Sequence, residues 1–199
     1  MSGADLAGAL GRLDEITRRL RRECPWDREQ DERSIVPHTV EEAYELADAA
    51  ESGDDAKLLD ELGDVLFQVY FLALLLEERG QGSLAEVAEH CRQKLIRRHP
   101  HVFGDRAADT AGDVVRNWNQ IKRDDERGGE LFGEIPETLP STLYAKKVLK
   151  RAGRRFEPSG ADPGELLLAA VRDALDAGAD PELALRQAAA RFRTQVEAE

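Results

Sequence analysis

Between Ala56 and Arg79 the chain carries apolar residues at Leu58, Leu62, Val65, Leu66, Val69, Leu72, Ala73 and Leu76, a spacing that lines up on one side only if the segment is a helix. A stripe this long needs partners of the same kind to cover it. No other segment alternates apolar and polar residues long enough to supply a half-buried sheet. The composition points the same way: 27 Ala and 25 Leu stand against 16 Val and Ile together, and the first two lose least on entering a helix. The expected fold class is all-α, a helical bundle.

The other predicted helices follow from apolar spacing and stop signals. Leu6, Leu10, Leu13, Ile16 and Leu20 share one face, and Cys24-Pro25-Trp26-Asp27 interrupts it. A second helix is expected over about Ser34 to Glu51, with Pro37 near its start. Ser52-Gly53-Asp54 reads as a turn, and Gly80-Gln81-Gly82 as a helix stop. Ser83-Leu84-Ala85-Glu86 reads as a capping box opening a helix that runs to about Arg98. Residues 101–112 read as a loop, Val114 to about Asp125 as a short helix, and Gly128-Gly129 with Pro136 to Pro140 as irregular chain. Thr142–Arg155 is helical and basic, and helices over about 163–177 and 181–197 close the chain.

Charge and composition exclude some functions. With 28 Lys and Arg against 40 Asp and Glu, the net charge is −12, which disfavours binding driven by neutralising the phosphates of nucleic acid. The cluster Arg18-Arg19-Leu20-Arg21-Arg22 reads as a solvated helix face. No apolar run reaches the ~18 residues that span a bilayer, and no secretory signal is legible. Two cysteines, Cys24 and Cys91, cannot make a disulfide framework. A soluble, cytoplasmic protein is expected, with neither membrane nor nucleic acid as partner.

Two acidic pairs carry the chemistry. Glu42 and Glu45 are three apart on the second helix, and Glu61 and Asp64 three apart on the third. Each pair shares a face and repels itself. The short turn at 52–55 makes the two helices antiparallel neighbours, so both pairs can converge. Ordinary surface acids would give the same letters. Converged carboxylates without His or Cys would suit Mg²⁺, with Mn²⁺ as a substitute. Downstream, Lys94 and Arg98 share a helix face, as do Trp118 and Lys122. Cations at a helix C-terminus and a core Trp beside a snorkelling Lys are the structural alternatives. Metal ligands, cations and an aromatic platform together describe a nucleoside polyphosphate site.

The motifs resemble a known family. Glu41-Glu42-x-x-Glu45 followed by Glu61-x-x-Asp64 resembles the EExxE…ExxD signature of the MazG-type all-α nucleoside triphosphate pyrophosphohydrolases. Cys24-Pro25-Trp26-Asp27-x-x-Gln30 resembles the family's CPWDxxQ, and Glu61–Val69 its ELGDLLFQV. Lys94–Phe103 resembles KLxRRHPHVF, and Trp118-x-x-Ile121-Lys122 resembles WExIK with Asn119 in place of the usual Glu. The resemblance implies Mg²⁺-dependent hydrolysis of NTPs or dNTPs to monophosphate and pyrophosphate, in a homodimer. It implies metal held by Glu42, Glu45, Glu61 and Asp64, with Glu41 holding a second ion or orienting water. Lys94, Arg98 and Lys122 would face phosphate and Trp118 the nucleoside. A relative restricted to dUTP, dCTP or phosphoribosyl-ATP is a close variant. A non-catalytic dimerisation or regulatory module retaining the fold is the alternative of another class.

On this reading residues 1–126 form the catalytic domain and 127–155 a linker with a basic helix. Residues 156–199 form a helical hairpin that resembles the back half of a second, degenerate copy, with Asp162-x-x-Glu165 where Glu61-x-x-Asp64 stands in the first.

Overall fold

The computed structural model describes residues 3–127 and 132–198, with side chains over 5–122 and 132–198. Gly128-Gly129 lies outside the described residues. Among the described residues ten helices follow one another: α1 (Gly3–Glu23), α2 (Pro25–Glu29), α3 (Glu32–Ser52), α4 (Asp55–Glu78), α5 (Leu84–Arg98), α6 (Pro100–Phe103), α7 (Ala111–Arg127), α8 (Ser141–Ala152), α9 (Pro163–Asp176) and α10 (Pro181–Glu197). The described residues contain no strand, so the fold class is all-α, as composition and periodicity predict. The chain divides into two compact units, Met1–Arg97 and Arg98–Glu199.

In the first unit α3 and α4 form the dominant pair, and α1 packs on α4. Gly53 closes α3 in the left-handed conformation, φ 70°, which glycine adopts without a Cβ penalty. Asp54 then caps α4 by accepting from the Ala56 and Lys57 amides at 2.9 and 3.2 Å. At the far end Glu32 pairs with Arg79 at 2.6 Å, fixing the antiparallel register. Ile35, Phe71 and Leu75 make the core, with Phe67 and Leu72 against it. Thr39 Oγ1 donates to the buried Gln68 at 3.3 Å, a polar pin between the two helices.

Several boundaries differ from expectation. α3 starts at Glu32, because Asp31 and Ser34 exchange reciprocal capping bonds at 2.9 Å. That leaves Pro37 inside the helix rather than in its first turn, where it removes one backbone hydrogen bond. Residues 101–103, expected as loop, belong to α6, and Ala111 and Gly112, expected as its end, already belong to α7. The basic α1 cluster is not simply solvated. Arg18 donates both guanidinium arms to Glu77 at 3.0 and 2.7 Å, and Arg21 donates to Glu78 and to the Gln30 carbonyl. On α4 the buried face carries Glu61, Gln68, Phe71 and Leu75, while Leu62, Leu66 and Val69 of the expected stripe are exposed. The second half of α4 is apolar nearly all round, so spacing alone could not choose its inward face.

In the second unit α8, α9 and α10 pack on one another. Asp162 caps α9 by accepting from the Glu165 amide at 2.9 Å, and the Glu165 carboxylate accepts from Ser159. Asp162 and Glu165 are thus both spent on a helix start.

Candidate active site

The α3–α4 hairpin sets the site. Glu45 precedes Gly53 by eight residues and Glu61 follows it by eight, so an antiparallel pair brings them opposite one another. Glu42, one turn from Glu45, joins them. Carboxylate oxygens of Glu42, Glu45 and Glu61 all lie within 4.8 Å of one another. Glu61 is buried, Glu42 half-buried and Glu45 exposed. The cluster therefore opens to solvent on one side and rests on the core on the other.

Its electrostatics are those of a like-charge cluster. Burial, and then the charges of Asp64, Glu45, Glu61 and Glu41, hold the Glu42 carboxyl above the ordinary glutamate range. Burial also pushes Glu61 up, seconded by Glu45; Lys57 opposes the shift while Asp64 and Asp60 add to it. Asp64 is exposed and stands outside the three-carboxylate convergence, yet among charges it acts most on Glu42. Glu41 points to solvent, 3.9 Å from His38 Nδ1.

The donor set fits a hard divalent cation. Three carboxylates from two helices converge without His or Cys, and two of them retain protons more tightly than isolated glutamates do. A cation that accepts oxygen ligands relieves both conditions.

Two features lie beyond the sequence reading. Lys57 is the cation nearest in effect to Glu61; its signal was the four-residue spacing on the capped first turn of α4. Gln68, buried seven residues past Glu61, ties α4 to Thr39, one turn before Glu42. Its signal was a lone amide in an apolar run.

Arg98, Trp118 and Lys122 come together in the second unit, whereas Lys94 belongs to the first. Arg98, buried at the end of α5, lies 5.4 Å from the Trp118 ring centroid, and Lys122 lies 5.1 Å from it. Trp118 is half-buried between these partners. Lys94 sits one turn before Arg98 on α5. His99 and His101 pair their rings at 5.6 Å.

An all-helical chain with an acidic hairpin of this pattern defines a class, and comparison with known proteins identifies it. Residues 30–103 match the MazG nucleotide pyrophosphohydrolase domain. An uncharacterized 26.1 kDa protein of Streptomyces cacaoi is 39% identical over 98% of this chain and 84% of its own length. The Thermotoga maritima nucleoside triphosphate pyrophosphohydrolase/pyrophosphatase MazG is 34% identical over 85% of this chain and 76% of its own length. The Escherichia coli nucleoside triphosphate pyrophosphohydrolase is 40% identical over 71% of this chain, which spans only 56% of that relative. The chain belongs to the MazG family of nucleotide pyrophosphohydrolases. Among the described residues no helix is long and apolar enough to cross a membrane.

Proposed function

We propose that this chain hydrolyses nucleoside triphosphates, ribo and deoxy, to the monophosphate and pyrophosphate, using Mg²⁺ held by Glu42, Glu45, Glu61 and Asp64. The observation that carries this reading is the convergence of three carboxylates across the α3–α4 hairpin. Mg²⁺, when bound, supplies Lewis-acid polarisation of phosphate oxygens and can be replaced by Mn²⁺. Glu61 anchors the cluster because it is buried and cannot turn to solvent. Glu41 is exposed outside the convergence and orients the attacking water. Lys94, Arg98 and Lys122 offset charge building on the departing pyrophosphate. Trp118, already adapted to cations at its ring, takes the nucleoside. Because a π-face accepts any base, broad base tolerance is expected.

We further infer a homodimer, acting in the cytoplasm. Its support is the stripe of Leu59, Leu62, Leu66 and Val69 exposed along α4, set three and four residues apart, which a two-fold copy would cover. Free Cys24 and Cys91 suit a reducing compartment. Residues 156–199 are read as the remnant of a second MazG-like domain that keeps helices but no acid pair free for metal.

Product analysis tests the reaction. With Mg²⁺, an NTP and dNTP panel should yield monophosphate and pyrophosphate in equal amounts. Diphosphate with orthophosphate would instead mean cleavage at the wrong phosphorus.

A further inference from the structure

Gly63 is a glycine that the folded chain itself does not require. It lies inside α4, two residues after the buried Glu61 and one before Asp64. Its backbone is ordinary helix, and it is not among the glycines of positive φ. Packing does not demand it either. Beyond its chain neighbours and its own helix backbone, a Cβ at Gly63 would meet nothing within 4 Å. A glycine in a helix interior meanwhile weakens the helix relative to alanine. The backbone of α4 is therefore left bare, against the helix's own interest, on the turn that carries both Glu61 and Asp64. Open space lies over it. A groove of about 620 Å³ runs along the first turns of α4, and Ala56, Lys57, Asp60, Gly63 and Asp64 line it. Asp54, at its start, is engaged with the Ala56 and Lys57 amides, so Lys57, Asp60 and Asp64 set the charge of the groove.

We propose that the phosphate chain of the metal-bound nucleotide passes over α4 at Gly63, and that the missing Cβ is the clearance it needs. The identity of the ligand rests on the reaction proposed above; the clearance rests on the groove. Glycine is the residue that lets a ligand come directly against backbone. Asp60 and Asp64 repel a bare phosphate, so passage requires the divalent ion, and Lys57 offsets part of the charge that remains. Gly63 also borders the apolar side of α4, where Leu59 stands four residues before it and Leu66 three after. A neighbouring helix pressed into the groove would strip water from Lys57, Asp60 and Asp64, which is costly unless each is paired. A metal-bound polyphosphate brings charges of both signs to the same three groups.

Gly63→Ala tests this, with Gly11→Ala as its control. Gly11 is likewise a glycine inside a helix, α1, with open space where its Cβ would stand. Both substitutions should raise the melting temperature of the metal-free protein, by about 2–4 °C for a chain of this size. Only Gly63→Ala should raise the KM for ATP with Mg²⁺, by about tenfold or more. It should weaken binding of α,β-methylene-ATP, which resists cleavage at that bond, by a similar factor, with the sedimenting mass and the affinity for Mg²⁺ alone unchanged. An unchanged KM and analogue affinity in a stabilised Gly63→Ala protein would overturn the proposal while leaving the reaction intact. A changed mass, with KM following it, would assign the space to a second copy's helix and overturn it as well. A wild type that binds the analogue more tightly than Gly63→Ala yet releases no pyrophosphate would keep the clearance and remove the proposed reaction. A wild type that neither cleaves ATP nor binds the analogue would remove both.

Discussion

Glu61 of α4 and Glu45 of α3 bring carboxylate oxygens within 4.8 Å of one another, each eight residues from the left-handed Gly53 that turns the chain between them. Two like charges at that distance work against the fold. Their repulsion gives the clearest signature of the site in the metal-free protein.

A carboxyl whose folded pKa is raised holds its proton more tightly folded than unfolded. Its contribution to stability is fully present below the ordinary glutamate pKa and is lost as pH rises through the raised value. Glu61 and Glu42 are both raised, chiefly by burial. Metal-free Glu61→Gln should therefore match the wild type in melting temperature near pH ~4 and become progressively more stable relative to it toward pH ~7. A difference independent of pH across that window would mean the cluster is uncoupled. Saturating Mg²⁺ should reverse the order at neutral pH, by stabilising the wild type alone.

Glu42→Gln and Asp64→Asn should each lower turnover by about 100-fold or more, with the helical circular dichroism unchanged. Each removes one negative charge at nearly constant shape. Near wild-type rates in Asp64→Asn alone would limit the ligand set to the three carboxylates that converge. Near wild-type rates in Glu42→Gln would remove the site altogether.

Much of this arrangement was legible in the residue order. Three- and four-residue spacing marked the helices, and the Ser52-Gly53-Asp54 turn implied that the acid pairs would face each other. What stayed hidden depended on tertiary choice. On α4, apolar residues occupy nearly every side of the second half, so periodicity could not tell that Phe71 and Leu75 turn inward while Val69 stays out. The start of α3 was read two residues late, because the Asp31–Ser34 capping box lies outside the apolar pattern. Arg18 and Arg21 looked like a solvent face because Glu77 and Glu78 lie some sixty residues away in sequence, about 59 and 57 positions on. Gln68 read as an interruption; its partner Thr39 sits across the hairpin.

Gln68→Leu tests that partner. The substitution keeps bulk but removes the link between the helices, leaving the Thr39 hydroxyl with only the Ile35 carbonyl at 3.3 Å, a loss of about 0.5–1.5 kcal/mol. The melting temperature should fall accordingly, and the metal affinity with it, because Gln68 and Glu61 share the inward face of α4. Restoring an apolar pair with Thr39→Val should recover most of the stability. If the double variant recovered none, the two side chains would not be acting on each other.

Trp118→Ala should raise KM by about tenfold or more at nearly constant kcat. Stacking on a base is worth about 1–3 kcal/mol and acts on bound substrate and transition state alike. A fall in kcat at unchanged KM would assign Trp118 to ordering Arg98 and Lys122, the two cations at its ring.

The most direct test of the central claim is pyrophosphate release from nucleoside triphosphates by the full chain, before and after chelation of divalent ions and again on adding Mg²⁺. The account predicts release that stops on chelation, returns with Mg²⁺, and returns with Mn²⁺ in its place. Release that persisted at full rate in the chelated protein would contradict the assignment of Glu42, Glu45, Glu61 and Asp64 as a metal site.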